Sequence, residues 1–391
     1  MAATVLIAIS EAWFAASHFV PLIETITARG DRVVIATRLD RDDPCQRAFA
    51  DHAAALGVEI VAWDAGRGRL GLQAQTRATL ALRAIIQDVR PEVVHAIGQH
   101  VILVATTGQA ARWRPPHLIL HLTGRGILAT ARGVRYTAMR AALKTAVRLA
   151  LTRGATLLVE NADDARDVAG RAVDGDRVIQ VVGAGVDTET FAPSASRTSA
   201  PPCRVTYVGR MLAFKGLYVL EDAVRILRDR EVPVAIRCFG AADDNPDAIP
   251  ADVLARWSVA AEADSDAALA WHGRTEDVAD VWRASDIAVF PTLGGEGVPR
   301  SLLEAAATGL GIVASDVAGC RDMIRDGETG LLVPPSDARA LANAIERLAR
   351  APQLREALGQ RARSAVCATS SEAVVRGVYR DLYERVTAKR G

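Results

Sequence analysis

Gly295 to Gly309 reads GEGVPRSLLEAAATG, with Glu296 and Glu304 eight positions apart and Pro299 between them. The residues in front, Asp286 to Thr292, form a short apolar run rich in Ile, Val and Phe, the composition of a buried parallel strand. LGGEG then breaks the strand. Pro299 suits the first turn of a helix, where a missing N–H costs nothing, and SLLEAAA favours the helix up to a stop at Gly309. The unit is strand, glycine loop, helix. It places free backbone N–H groups and the positive end of a helix dipole beside Glu296, a setting suited to an anion such as phosphate. A carboxylate is an odd neighbour for phosphate, so Glu296 fits a sugar hydroxyl or a developing positive charge. Glu304, about a turn and a half into the helix on roughly the same side, can accept hydrogen bonds from ribose hydroxyls. The plainer alternative is two solvated glutamates at a helix start.

The stretches that follow, GIVASDVAG (Gly311 to Gly319) and DGETGLLVPPSD (Asp326 to Asp337), settle the choice. In that order, and together with Glu296, GVPRSLL and Glu304, they resemble the E-x7-E region of the retaining glycosyltransferases of family 4, in a bacterial subgroup that builds surface polysaccharides. The resemblance runs over essentially the whole chain, densest from Val205 to Pro335 and thinner before that. It implies the GT-B fold: two Rossmann-like, doubly wound parallel-sheet domains facing a central cleft, with a C-terminal helix crossing back to the first domain.

Composition agrees with two domains. A chain of 391 residues, half of them hydrophobic, can bury two sizeable cores. A net charge of +1 says little about partners, and the five cysteines are scattered without metal-ligand or redox spacing, as in a reducing cytoplasm. The apolar start VLIAI is too short for a signal peptide, and no stretch approaches the roughly 20 apolar residues of a membrane span. A cytoplasmic protein is expected, with any membrane contact peripheral.

Residues 1–192 alternate β-branched runs with helical patterns. The candidate strands are TVLIAI, RVVIAT, VEIVAW, VVHAI, HLILHL, LLVEN and RVIQVV. APSASRTSAPP, from Ala192 to Pro202, reads as a linker. From 203 to 365 the pattern restarts with RVTYVG, VAIRCFG, ALAWHG, IAVFPT, GIVAS and GLLV, and 366–391 reads as an amphipathic helix with a cap near Ser370 or Ser371.

YVGRMLAFKG opens the second domain and resembles the family's GR…KG element, whose Arg and Lys clamp the donor diphosphate; here they are Arg210 and Lys215. The chemistry fits, since a nucleoside diphosphate leaves with growing negative charge that a fixed guanidinium and ammonium stabilise. At an effective dielectric near 20, one such pair at 4 Å amounts to about 4 kcal/mol before desolvation. Only three lysines occur (Lys144, Lys215, Lys389), so Lys215 does not reflect a lysine-rich composition. Two solvated cations after a strand remain the plain alternative. FGAADDNPDAI (Phe239 to Ile249) and WHGRTEDV (Trp271 to Val278) also follow strands, on the rim where ligands of open α/β sheets collect. The resemblance puts the second loop, with His272, Gly273 and Arg274, near the nucleobase.

In the first domain, SEAWFAASHFVP (Ser10 to Pro21) is similar to the WF-x-x-SH stretch of the surface-polysaccharide subgroup, with Trp13, Phe14, Ser17 and His18 matching. LLVENADDARDV is similar to its QN-x-x-D element, with Glu160 in place of Gln. Thr123 and Gly124 of HLTGRG stand where many relatives have His-Gly, so that histidine's role does not carry over. His18, Thr123 and Gly124 are the acceptor-side candidates. From Leu122 to Val159 there is no acidic residue, and Arg140, Lys144 and Arg148 share one helical face. Such a stripe can attract anionic lipid headgroups or a lipid diphosphate, at about 1 kcal/mol per cation, or be an ordinary solvated face.

The resemblance implies a retaining transfer of a hexose or N-acetylhexosamine from a nucleotide sugar, a UDP-sugar by family habit, to a lipid-diphosphate-linked or polysaccharide acceptor at the inner face of the membrane. Arg210 and Lys215 would hold the diphosphate, helped by backbone at Gly297, Val298 and Arg300; Glu296 would orient the sugar and Glu304 the ribose, with no cofactor and no metal. A 2-epimerase of the same architecture and a non-catalytic nucleotide-sugar binder are the alternatives. No G-x-G-x-x-G follows the first strand, and no Walker loop, His-Glu metal motif, nucleophile elbow or nucleic-acid surface occurs.

Overall fold

The structure, a computed structural model, describes residues 2–66, 72–109, 115–172, 175–194, 201–243, 247–262 and 269–388. The middle of the Pro- and Ser-rich segment (195–200), residues 244–246 and Lys389 lie outside the described residues.

Each run read as a strand forms one. β1 (Thr4–Glu11), β2 (Arg32–Arg38), β3 (Glu59–Ala62), β4 (Val93–Ile97), β5 (His117–Leu122), β6 (Thr156–Val159) and β7 (Val178–Gln180) make a parallel sheet in the order β3-β2-β1-β4-β5-β6-β7. β8 (Cys203–Val208), β9 (Val234–Phe239), β10 (Leu269–Trp271), β11 (Ile287–Phe290), β12 (Gly311–Ser315) and β13 (Leu331–Val333) make a second parallel sheet, ordered β10-β9-β8-β11-β12-β13. β4, β6, β11 and β12 are buried at every position, because helices cover both faces; continuous apolar runs rather than alternation are the result.

The chain divides into two compact units, residues 1–185 with 372–391, and 186–371. The division falls ahead of the Pro- and Ser-rich segment because Val186 bridges to Ser371 and Phe191 is buried with the second unit. In the first unit, the helices Leu72–Val89, Gln99–Gln109, Val134–Thr152 and Ala162–Ala169 pack on one face. Ala12–His18, Val20–Ala28, Pro44–Ala55 and the final helix Glu372–Ala388 pack on the other. Val375, Tyr379, Leu382, Tyr383 and Val386 recur at helical spacing and are all buried, which seats the final helix against Val20–Ala28. Arg376 Nη2 donates to Glu24 Oε2 at 2.6 Å beside that seam. No helix among the described residues is long and apolar enough to cross a membrane.

Beneath the final helix lies a buried polar cluster. His95 Nδ1 pairs with the Tyr383 hydroxyl at 2.8 Å, and His95 Nε2 with His121 Nδ1 at 3.2 Å. Burial lowers the His95 pKa, and His121 is lowered to about 3 for the same reason. His121 Nε2 and the Tyr379 hydroxyl meet no partner among the described residues. The unfolded chain binds protons at these histidines below about pH 6.5 whereas the folded chain does not, so stability rises with pH in that window. Acidification from pH 7 to 5 should cost about 1.4 kcal/mol per pH unit for each histidine below 6.5. Urea midpoints measured across that range should fall, and a His121→Leu variant should show a shallower fall; parallel slopes would show that the histidine does not titrate this way.

Candidate active site

In the second sheet, β9 and β10 lie to one side of β8 while β12 and β13 lie beyond β11, so the order reverses between β8 and β11. Loops leaving the carboxyl ends of strands at such a point form a crevice where open α/β sheets bind ligands. The β8 loop carries Arg210 and Lys215 into the helix Leu217–Asp229; the β11 loop carries Glu296 to Val298 into the helix Arg300–Ala307. Across this point the Lys215 ammonium forms an ion pair with Glu296 Oε1. The side chains are 16% and 20% exposed, enough for a ligand to reach them and too little for water to dissipate their field.

Backbone crossings hold these loops in place. Leu293 N donates to Phe214 O at 2.8 Å. Gly216, at φ +77°, lies against the Pro291 carbonyl where a Cβ would collide, and Gly319 does the same against the Gly297 carbonyl. Tyr207 donates its hydroxyl to Arg210 O at 3.0 Å. Burial, with the Glu296 charge adding to it, holds the Tyr207 pKa well above its ordinary value, so the hydroxyl remains a donor. Arg210 Nε contacts Asp243 Oδ2 at 2.7 Å, from the loop after β9. Gly240 N donates to the Gly273 carbonyl at 2.8 Å, which ties the loop after β10, with exposed His272 and Arg274, to the same rim. His272 stacks on Phe239 with ring centroids 4.8 Å apart.

Two details depart from the expectations. Pro299 is the N-cap of the helix, which begins at Arg300, and Gly309 takes φ +71° just past the C-cap Thr308. Glu304 is buried, because Leu302, Leu303 and Ala305 to Ala307 around it all face packed structure. One Glu304 oxygen accepts from Arg300 Nε at 3.0 Å and the other from Trp282 Nε1 at 3.4 Å. It is a held carboxylate rather than a loose acceptor. Trp282 and Asp243 were not singled out by sequence reasoning: nothing in local spacing shows which distant side chain faces a motif.

In the first unit, His18 ends the helix after β1 and Thr123 and Gly124 follow β5, so all three lie at the carboxyl edge of that sheet. Ser17 Oγ lies 2.6 Å from His18 Nδ1, and Phe19 meets His121 edge-on at 5.3 Å, which draws the two segments together. The basic stripe is engaged by neighbouring groups of the same unit. Lys144 Nζ pairs with Asp167 Oδ1, and Arg125 spans Asp164 and Asp167. Arg140 donates to the Leu128 and Ala131 carbonyls at 3.0 and 2.9 Å, and Arg148 to the Val168 carbonyl at 3.2 Å. These cations chiefly close helix ends and bridge neighbouring helices.

Two parallel Rossmann-like sheets are the make-up of the GT-B fold. Residues 15–208 match the family model described as glycosyl transferase 4-like domain, and residues 202–351 the one described as glycosyl transferases group 1. The chain belongs to the GT-B glycosyltransferases. It is 21% identical to the N,N'-diacetylbacillosaminyl-diphospho-undecaprenol alpha-1,3-N-acetylgalactosaminyltransferase of Campylobacter jejuni, over 94% of this chain and 95% of that one. It is 32% identical to a phosphatidyl-myo-inositol mannosyltransferase of Mycobacterium leprae, over 44% of each chain. Other curated relatives are matched over smaller shares of their own length, 12% for a Streptomyces coelicolor exopolysaccharide phosphotransferase and 41% for an Escherichia coli colanic acid glycosyltransferase. Among solved structures, Anabaena HepE in complex with UDP and glucose superposes with a TM-score of 0.72 at 16% identity, over 98% of this chain and 99% of that one.

Proposed function

We propose that this protein is a retaining glycosyltransferase that moves a hexose or N-acetylhexosamine from a UDP-sugar to a lipid-diphosphate-linked or polysaccharide acceptor at the cytoplasmic face of a membrane. The observation that carries the reading is the Lys215–Glu296 pair at the switch point of the second sheet. The names of the Campylobacter relative and of the HepE complex support the acceptor and donor classes.

Lys215 and Arg210 would take the diphosphate, with backbone at Gly297, Val298 and Arg300 beside it. Gly273 and Arg274 would flank the base. Glu296, released from Lys215, would orient the sugar, and Glu304 would reach the ribose once Arg300 turns away. His18, Thr123 and Gly124 would serve the acceptor. The bond from C1 to the diphosphate oxygen breaks as the acceptor oxygen attacks from the same face, and the acceptor proton passes to the departing phosphate. The protein's part is positioning and charge stabilisation, which the two cations supply without a metal.

The test is product analysis by NMR after incubation with UDP-sugars, with and without a polyprenyl-diphosphate-linked saccharide. An acceptor-dependent product that keeps the donor's anomeric configuration is expected. Inversion would refute the retaining chemistry, and a free epimerised nucleotide sugar formed without acceptor would favour the isomerase instead.

A further inference from the structure

Both cations read as the diphosphate clamp already hold a carboxylate: Lys215 holds Glu296, and Arg210 holds Asp243. The second pairing is built by the fold. Gly240, at φ +153°, lies against the Gly209 carbonyl where a Cβ would collide, so the loops after β8 and β9 cross in contact. Met211 N donates to Ala241 O at 3.3 Å, Ala213 N to Asp247 O at 2.7 Å and Ile249 N to Met211 O at 2.9 Å, which laces the Arg210 loop to both sides of Asp243. Arg210 and Asp243 side chains are 36% and 19% exposed, and a pair so placed adds little to the fold. It lies where an incoming anion can compete for the guanidinium.

We propose that Asp243 is a specificity-determining counter-ion: it occupies Arg210 in the empty site, so that only a ligand with enough negative charge to replace it, a nucleoside diphosphate rather than a monophosphate, captures the clamp. This rests on the reading of the site as a nucleoside-diphosphate site. A diphosphate brings charge for both cations, Arg210 and Lys215, and releases both carboxylates. A monophosphate cannot satisfy both, and a retained Asp243 repels it.

Isothermal titration with UDP and UMP tests this on the wild type, Asp243→Asn and Asp222→Asn, the last removing an equal charge from an exposed position of the same unit. Asp243→Asn should bind UMP about three- to ten-fold more tightly and narrow the preference for UDP, while Asp222→Asn leaves both unchanged. Melting temperatures report whether each variant is folded. UDP binding in the wild type with unchanged or weakened UMP binding in Asp243→Asn would overturn the counter-ion role alone. No binding of either nucleotide, or of the GDP and ADP controls, by any variant would overturn the reading of the site along with it.

Discussion

Lys215→Ala should lower sugar transfer about 100- to 1,000-fold, the range found when one preorganised donor to a developing negative charge is removed. The ammonium sits at the reversal of strand order, where the growing charge of the leaving diphosphate would fall. Its loss leaves Arg210 alone to meet that charge. Removing one side of the pair also leaves Glu296 without its partner, at 20% exposure, in the path of an anionic ligand. Binding and turnover should therefore both suffer, and a cooperative melting transition reports that the variant is folded. Turnover near the wild-type rate in a folded variant would remove Lys215 from the chemistry.

Gly216→Ala should be among the most damaging additions of a single methyl group. At φ +77° the residue occupies a backbone region that costs a side-chain-bearing residue about 1–3 kcal/mol, and its Cβ would collide with the Pro291 carbonyl. The Pro291 carbonyl cannot swing aside like a flexible side chain, since Leu293 two residues on is tied to Phe214. Relief therefore requires the β8 and β11 loops to part, separating Lys215 from Glu296. A loss of about 3 kcal/mol or more in chemical denaturation is expected, together with loss of nucleotide binding. An alanine variant with wild-type stability would show that these loops can slide apart freely.

The sheets were legible because parallel strands covered on both faces leave unbroken apolar runs, VVHAI and IAVF among them. Lys215 and Glu296 were legible because each follows such a run at a glycine turn. The company they keep was not. Asp243 sits in a stretch legible as a rim loop, FGAADDNPDAI, but only the crossing at Gly240 aims it at Arg210. Glu304 fell on the expected helix, but its partner Trp282, 22 residues earlier, is brought to it only by tertiary packing. The basic stripe shows the same limit. Spacing places Arg140, Lys144 and Arg148 on one face, while Asp163, Asp164 and Asp167 lie just past the acid-free stretch; only tertiary packing shows that Asp167 meets Lys144.

The most direct test is calorimetric titration of the wild type and Lys215→Ala with UDP, GDP, ADP and CMP. Binding of one nucleoside diphosphate, UDP, that stabilises the fold and is lost or strongly weakened in Lys215→Ala is the expected result. Absence of binding in the wild type, or binding of equal strength in the variant, would contradict a nucleotide-sugar site at the β8–β11 switch point.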